Sequence, residues 1–128
     1  MTPTSRSIHV AGASHKAPIP AAARVGPILA TSAVSGKDPV SGELPSDPEQ
    51  QVRNTFANLQ AVLQAGGASM DDVVKFSITI KHNAVRDAIN THWLAAFPNP
   101  EDRPARHIVV SDLQHGMELQ IEALAFIR

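Results

Sequence analysis

At 128 residues with a formal net charge of −1, the chain is long enough to bury roughly two thirds of its unfolded surface as one domain, residues 1–128. The near-neutral balance, without any block of like charges, argues against a nucleic-acid module, which normally shows a basic face. Cysteine is absent, which excludes disulfides, thiolate metal sites and a cysteine nucleophile.

Residues 1–20 read as an irregular N-terminal segment, with Ser7-Ile8-His9-Val10 as a short strand. They lack the basic start and continuous apolar stretch of a secretory signal, and nothing nears the length of a membrane span, so a cytoplasmic protein with no membrane partner is expected. Residues 22–26 and 28–32 read as a hairpin around Gly26-Pro27, and Lys37 to Gly42 as a surface loop rich in turn formers. The first helix is capped by Ser46 or Asp47, with Pro48 in the first position and Glu49 or Gln50 completing a capping box. Val52, Phe56, Leu59, Val62 and Leu63 recur at helical spacing, and Gly66-Gly67 ends the helix.

A strand over 73–81 follows, in which Val74, Phe76, Ile78 and Ile80 are the expected buried face. A second helix over 83–97 buries Val85, Ile89, Trp93 and Phe97, and Pro98 stops it. Two final strands are expected, a short apolar one at Ile108-Val109-Val110 and an alternating one over 117–123. The order of elements predicts an α+β sandwich, one sheet with two helices packed on one face. With no tyrosine, one tryptophan and four phenylalanines, the core rests on aliphatic side chains, and a partner subunit is expected to cover part of the apolar surface.

The chemistry concentrates in the last 26 residues. Arg106 stands at the entrance to the 108–110 strand, where its planar fork suits a carboxylate. Glu118, Gln120 and Glu122 form the polar row of the last strand. Guanidinium and polar row together suggest a small pocket for an anionic ligand. The structural alternative for Arg106 is an ion pair at a subunit contact, and for the glutamates a solvated face. Six histidines, His9, His15, His82, His92, His107 and His115, form no tight pair on one helical face, so no metal site is expected. His107 adjoins Arg106, but on a regular strand it points to the opposite face.

Thr31-Ser32, Pro39 to Pro45, Gln51 with Asn58-Leu59, Ala65-Gly66-Gly67, Asp71 to Lys75, Asn90 with Trp93 and Phe97, Pro104-Ala105-Arg106 and Ile121 to Ala125 occur together in an order and spacing that resembles the Rid (YjgF) proteins. The resemblance covers the chain beyond residue 20. It implies a chorismate-mutase-like fold with one mixed sheet, assembly as a homotrimer, and ligand clefts between subunits. It further implies hydrolysis of reactive enamines and imines of amino acids to 2-oxo acids and ammonia, without metal or organic cofactor.

Carried over by residue, Arg106 matches the arginine that holds the substrate carboxylate, and the backbone of His107 a further ligand contact. Ser32 matches a pocket serine, and Asn90 a helix asparagine near the cleft. Gln120 stands where active deaminases carry a proton-handling glutamate, Ala33 replaces a glycine, and the family's tyrosine has no counterpart. Glutamine orients water but cannot donate and recover a proton, so Glu118 and Glu122 are the candidate substitutes, against their reading as a solvated face or a salt bridge. The alternative is a metabolite-binding protein that keeps the Arg106 clamp and has lost catalysis at Gln120. A ribonuclease role is disfavoured by the mild charge.

Overall fold

Each strand and helix can be traced to a local signal in the chain, and the computed structural model describes them over residues 5–128; residues 1–4 of the expected irregular start lie outside the described residues. Strand β1 (Ser7–Ile8) lies antiparallel to β2 (Ala22–Val25), which turns through Gly26-Pro27 into β3 (Ile28–Thr31). Gly26 has φ 59°, and that positive angle followed by the fixed φ of proline suits a two-residue II′ turn.

Helix α1 (Pro48–Ala65) begins at Asp47, whose side chain accepts from the Glu49 N–H at 3.3 Å. The expected capping box does not form. Gln50 turns along the helix instead, donating to Asn54 and accepting from Arg53. At the other end the Gly67 N–H donates to the Gln64 carbonyl and the Ala68 N–H to the Leu63 carbonyl. That pair of bonds, with Gly67 at φ 84°, is a Schellman motif. Arg24 caps the same end by donating to the Gly66 carbonyl at 2.8 Å, where a cation also meets the negative pole of the helix.

Strand β4 (Val73–Ile80) follows a short 3-10 turn, and a second such turn at Asn83–Val85 leads into α2 (Arg86–Ala96). The sheet ends with β5 (Ala105–Val110) and β6 (Leu119–Phe126). Among the described residues the strands form one sheet in the order β1-β2-β3-β6-β4-β5. Only β4 and β5 are parallel, because α2 makes the crossover between them. The sheet is therefore mixed, with both helices on one face. Leu29, Phe76, Ile78, Ile80, Leu119 and Ile121 meet Val52, Leu59, Val62, Leu63 and Ile89 there in one buried cluster.

Four sequence expectations need correction. In β4 the register shifts between Val73 and Lys75, so Val73 is buried and Val74, expected inside, is 53% exposed. The second helix is split by the turn at Asn83–Val85. The last strand starts at Leu119 and runs to Phe126, leaving Met117 and Glu118 outside it. Strand β5 begins at Ala105, so Arg106 lies within a strand and not at its mouth.

Candidate functional site

The strand register decides where each side chain of the C-terminal segment points. Arg106 pairs with Phe76, and Phe76 is fully buried against Trp93 and Phe97. Arg106 therefore rises on the helix side of the edge strand. Its Nη1 donates to Asn90 Oδ1 at 2.9 Å, and its guanidinium carbon lies 4.8 Å from the centre of the Trp93 ring. Asn90 and Trp93 are three apart on α2, so one helical face presents both. No carboxylate among the described residues lies within ion-pair distance of Arg106; the ion pair found there joins Arg128 to Asp72. Burial, and then the nearby Arg86 charge, push the Arg106 guanidinium below its ordinary value. Arginine starts so high that it stays charged. The result is an oriented cation with most of its five N–H donors unspent.

Gln120 pairs with Thr79, between the core residues Ile78 and Ile80. It therefore projects from the other face of the sheet. Gln120 lines a cavity of about 500 Å³ with Ala33, His15, Lys16, Lys37 and His115. The walls are held by side-chain to backbone bonds. Asn58 donates to the carbonyls of Ser35 and Lys37, and Asn54 to that of Gly36. Gly36 is buried against the backbone of Gln51, leaving no room for a Cβ. Gln51, itself buried, donates to the carbonyls of Pro45 and Gly116 and accepts from the Glu118 N–H at 2.8 Å. Two loops are thus tied to α1 by one amide, the one before the helix and the one between β5 and β6. On the far wall His115 adopts φ 62°, a left-handed conformation uncommon for a residue with a Cβ.

A family model described as Endoribonuclease L-PSP matches residues 14–127. The chain belongs to this family, that of the Rid (YjgF) proteins. A 2-iminobutanoate/2-iminopropanoate deaminase of Escherichia coli is 31% identical over 112 residues, covering 81% of this chain and 83% of that one. The crystal structure of RidA from an Antarctic Psychrobacter superposes with a TM-score of 0.87 at 29% identity, covering 96% of this chain and all of the other. TdcF of E. coli with bound serine gives 0.87 at 26% identity, over 97% and 100%.

The residues singled out on the Rid pattern fall into two groups in this chain. Arg106 and Asn90 meet beside Trp93. Ala33 and Gln120 meet at the cavity. Strand β4 and the thickness of the sheet separate the groups. Ser32 follows the last residue of β3 and gives its hydroxyl proton to the Pro20 carbonyl at 2.8 Å. His107 is exposed on the open face, in one row with Ser77 and Glu122. Glu122 shares the open face with Gln120, two residues along β6, as expected, whereas Glu118 precedes the strand, and neither is among the residues that line the cavity. Sequence reasoning missed the cavity's own histidines, His15 and His115. His15 lies in the Pro-rich start, where no periodicity marks a wall. Gly116 beside His115 was the available turn signal. Among the described residues no cluster of three or more His, Asp or Glu is placed to hold a metal. No described helix is long and apolar enough to cross a membrane.

Proposed function

We propose that this Rid-family chain binds a small carboxylate-bearing metabolite through Arg106 and hydrolyses its reactive enamine or imine form to a 2-oxo acid and ammonia. The carrying observation is the Arg106 guanidinium itself. It is oriented by Asn90, stacked on Trp93 and free of any carboxylate partner among the described residues. A structural arginine would have its charge matched, whereas this one is kept ready for an anion. The likeness to a 2-iminobutanoate/2-iminopropanoate deaminase supports the reaction class.

The clefts are proposed to form between protomers of a homotrimer. One copy cannot offer Arg106 and Gln120 to a single small ligand, because they stand on opposite faces with β4 between. A second copy placing its Arg106 against the cavity resolves this. The open sheet face favours such packing, since Val25, Ile28, Leu124 and Phe126 are 44–65% exposed there, more apolar surface than a monomer usually leaves wet. Neither an organic cofactor nor a nucleic acid has a part in this reading, and a cytoplasmic setting belongs to it.

A second reading, a metabolite-binding protein without turnover, is favoured by Gln120, which cannot exchange a proton. Generating 2-aminoacrylate in situ and following pyruvate and ammonia separates the two. Acceleration over the spontaneous rate supports the enzyme. Stabilisation of the protein by 2-oxo acids with no acceleration supports the binder.

A further inference from the structure

We infer that Arg86 is a second anion-binding residue beside Arg106, so that the ligand is a short dicarboxylate, the 2-imino or 2-oxo form of an acidic amino acid. This rests on the carboxylate-binding reading above and narrows it to one substrate class. Arg86 opens α2, and Asn90 and Trp93 follow it four and seven positions later. That spacing puts all three on one helical face. Asn90 and Trp93 are the residues that hold the Arg106 guanidinium, through a 2.9 Å bond and a ring contact. Arg86 therefore stands one helical turn from the side chain to which Arg106 is bonded. Burial, and then the Arg86 charge, hold Arg106 below its ordinary value, so the two cations are near enough to repel.

Arg86 is itself oriented. Its Nε donates to Asn83 Oδ1 at 2.8 Å, from the turn before the helix, and its two terminal nitrogens make no bond among the described residues. Neither guanidinium has a carboxylate within ion-pair distance there, Asp87 beside Arg86 included. Like charges set close together without a counter-charge weaken the folded state. One carboxylate in the Arg106 fork would leave Arg86 unmatched. A second carboxylate, a short carbon chain away, gives each planar fork its own anion.

The wall proposed to face this pair agrees in sign. The residues lining the cavity include Lys16 and Lys37 but no Asp or Glu. A second negative charge on the ligand thus meets no repulsion from the neighbouring copy.

The test compares 2-oxoglutarate with 2-oxopentanoate, which differ in a terminal carboxylate against a methyl group, by calorimetry on the full chain. Wild type should bind 2-oxoglutarate more tightly by roughly 10–150-fold, the effect of hydrogen bonding to a charged group. Arg86→Gln should abolish that preference, with the affinity for 2-oxopentanoate within about threefold of wild type and the melting temperature unchanged. Arg86→Lys keeps the charge without the fork and should retain part of the preference. Wild type that binds neither acid overturns the carboxylate site and this inference with it. Equal affinity for the two acids overturns the dicarboxylate class alone. A preference that survives Arg86→Gln overturns the role of Arg86, since the second carboxylate is then held elsewhere. So does an equal loss of both acids in that variant, because Arg86 then supports Arg106 and not the ligand.

Discussion

Replacing Arg106 by alanine separates a ligand clamp from a structural residue, because the structure bounds what each role can cost. Within the chain Arg106 makes one hydrogen bond, to Asn90, and one ring contact, with Trp93. A cation stacked on a ring at a partly exposed site contributes about 0.5–1 kcal/mol. The solvent-screened bond to Asn90 adds a few tenths. Removing the neighbouring Arg86 repulsion returns some of this. The folding cost of Arg106→Ala is therefore about 1 kcal/mol, or roughly 3–5 °C for a chain of this size. As a carboxylate clamp the same side chain is worth more, since a hydrogen bond to a charged group contributes about 1.5–3 kcal/mol. That predicts a loss of roughly 10–150-fold in affinity, read as KM for the imine and as Kd for a 2-oxo acid by calorimetry. Arg106→Lys keeps the charge and loses the fork, so it should fall between wild type and alanine. Binding by both variants within about threefold of wild type would refute the clamp role of Arg106. A fall in melting temperature much beyond that bound would refute it too, since it would reveal a structural role.

Gln51→Ala removes two donated bonds and one accepted bond in a buried setting, so about 3 kcal/mol of stability, or roughly 10 °C, should be lost in thermal melts. Gly67→Ala places a Cβ 2.6 Å from the Arg24 guanidinium at φ 84°, and chemical denaturation should show a loss of roughly 1–2 kcal/mol. Glu118→Gln and Glu122→Gln should leave kcat unchanged in the coupled pyruvate assay, because neither side chain lines the cavity. Asp38 accepts from the Val40 and Ser41 N–H groups, and these bonds, Ser41's first, hold its carboxyl below the ordinary value of 3.8. A depressed acid stabilises the fold above its unfolded value and loses that contribution as pH falls through the folded one. Proteolysis of the loop around residues 38–43 should therefore rise only in acid below that ordinary value, and Asp38→Ala should show the faster cleavage at neutral pH as well.

Elements whose side chains repeat with one clear period could be placed from the sequence. Helix α1 has an apolar stripe, a proline start and a glycine stop, and the hairpin at Gly26-Pro27 carries its own turn signal. The errors share a cause, namely pattern without phase. Val73 and Val74 are identical side chains, so alternation cannot say which turns inward, and the register shift at the start of β4 reverses the guess. Strand β6 was expected to end near Ala123 because alternation fails there. Leu124 and Phe126 are apolar although they point outward. Burial of that face against another copy, as proposed above, explains why an outward row loses its polar character just where the sequence pattern stops being readable.

Arg106 and the Glu118 to Glu122 row are near neighbours in sequence, and short separation suggested a shared pocket. Sheet order breaks that inference, because β4 inserts between β5 and β6 and strand parity sends Arg106 and Gln120 to opposite faces. Proximity along the chain is thus a poor guide where two strands flank a third. His15 is the converse case. It is 105 positions from Gln120, in a segment without periodicity, yet both line one cavity. What brings them together is backbone pairing, with Ala21 bonded to Ile8 and Ser32 bonded to Ala21, so that the Pro-rich start lies along the end of β3. Backbone pairing can thus set residues from the two ends of the chain around one cavity.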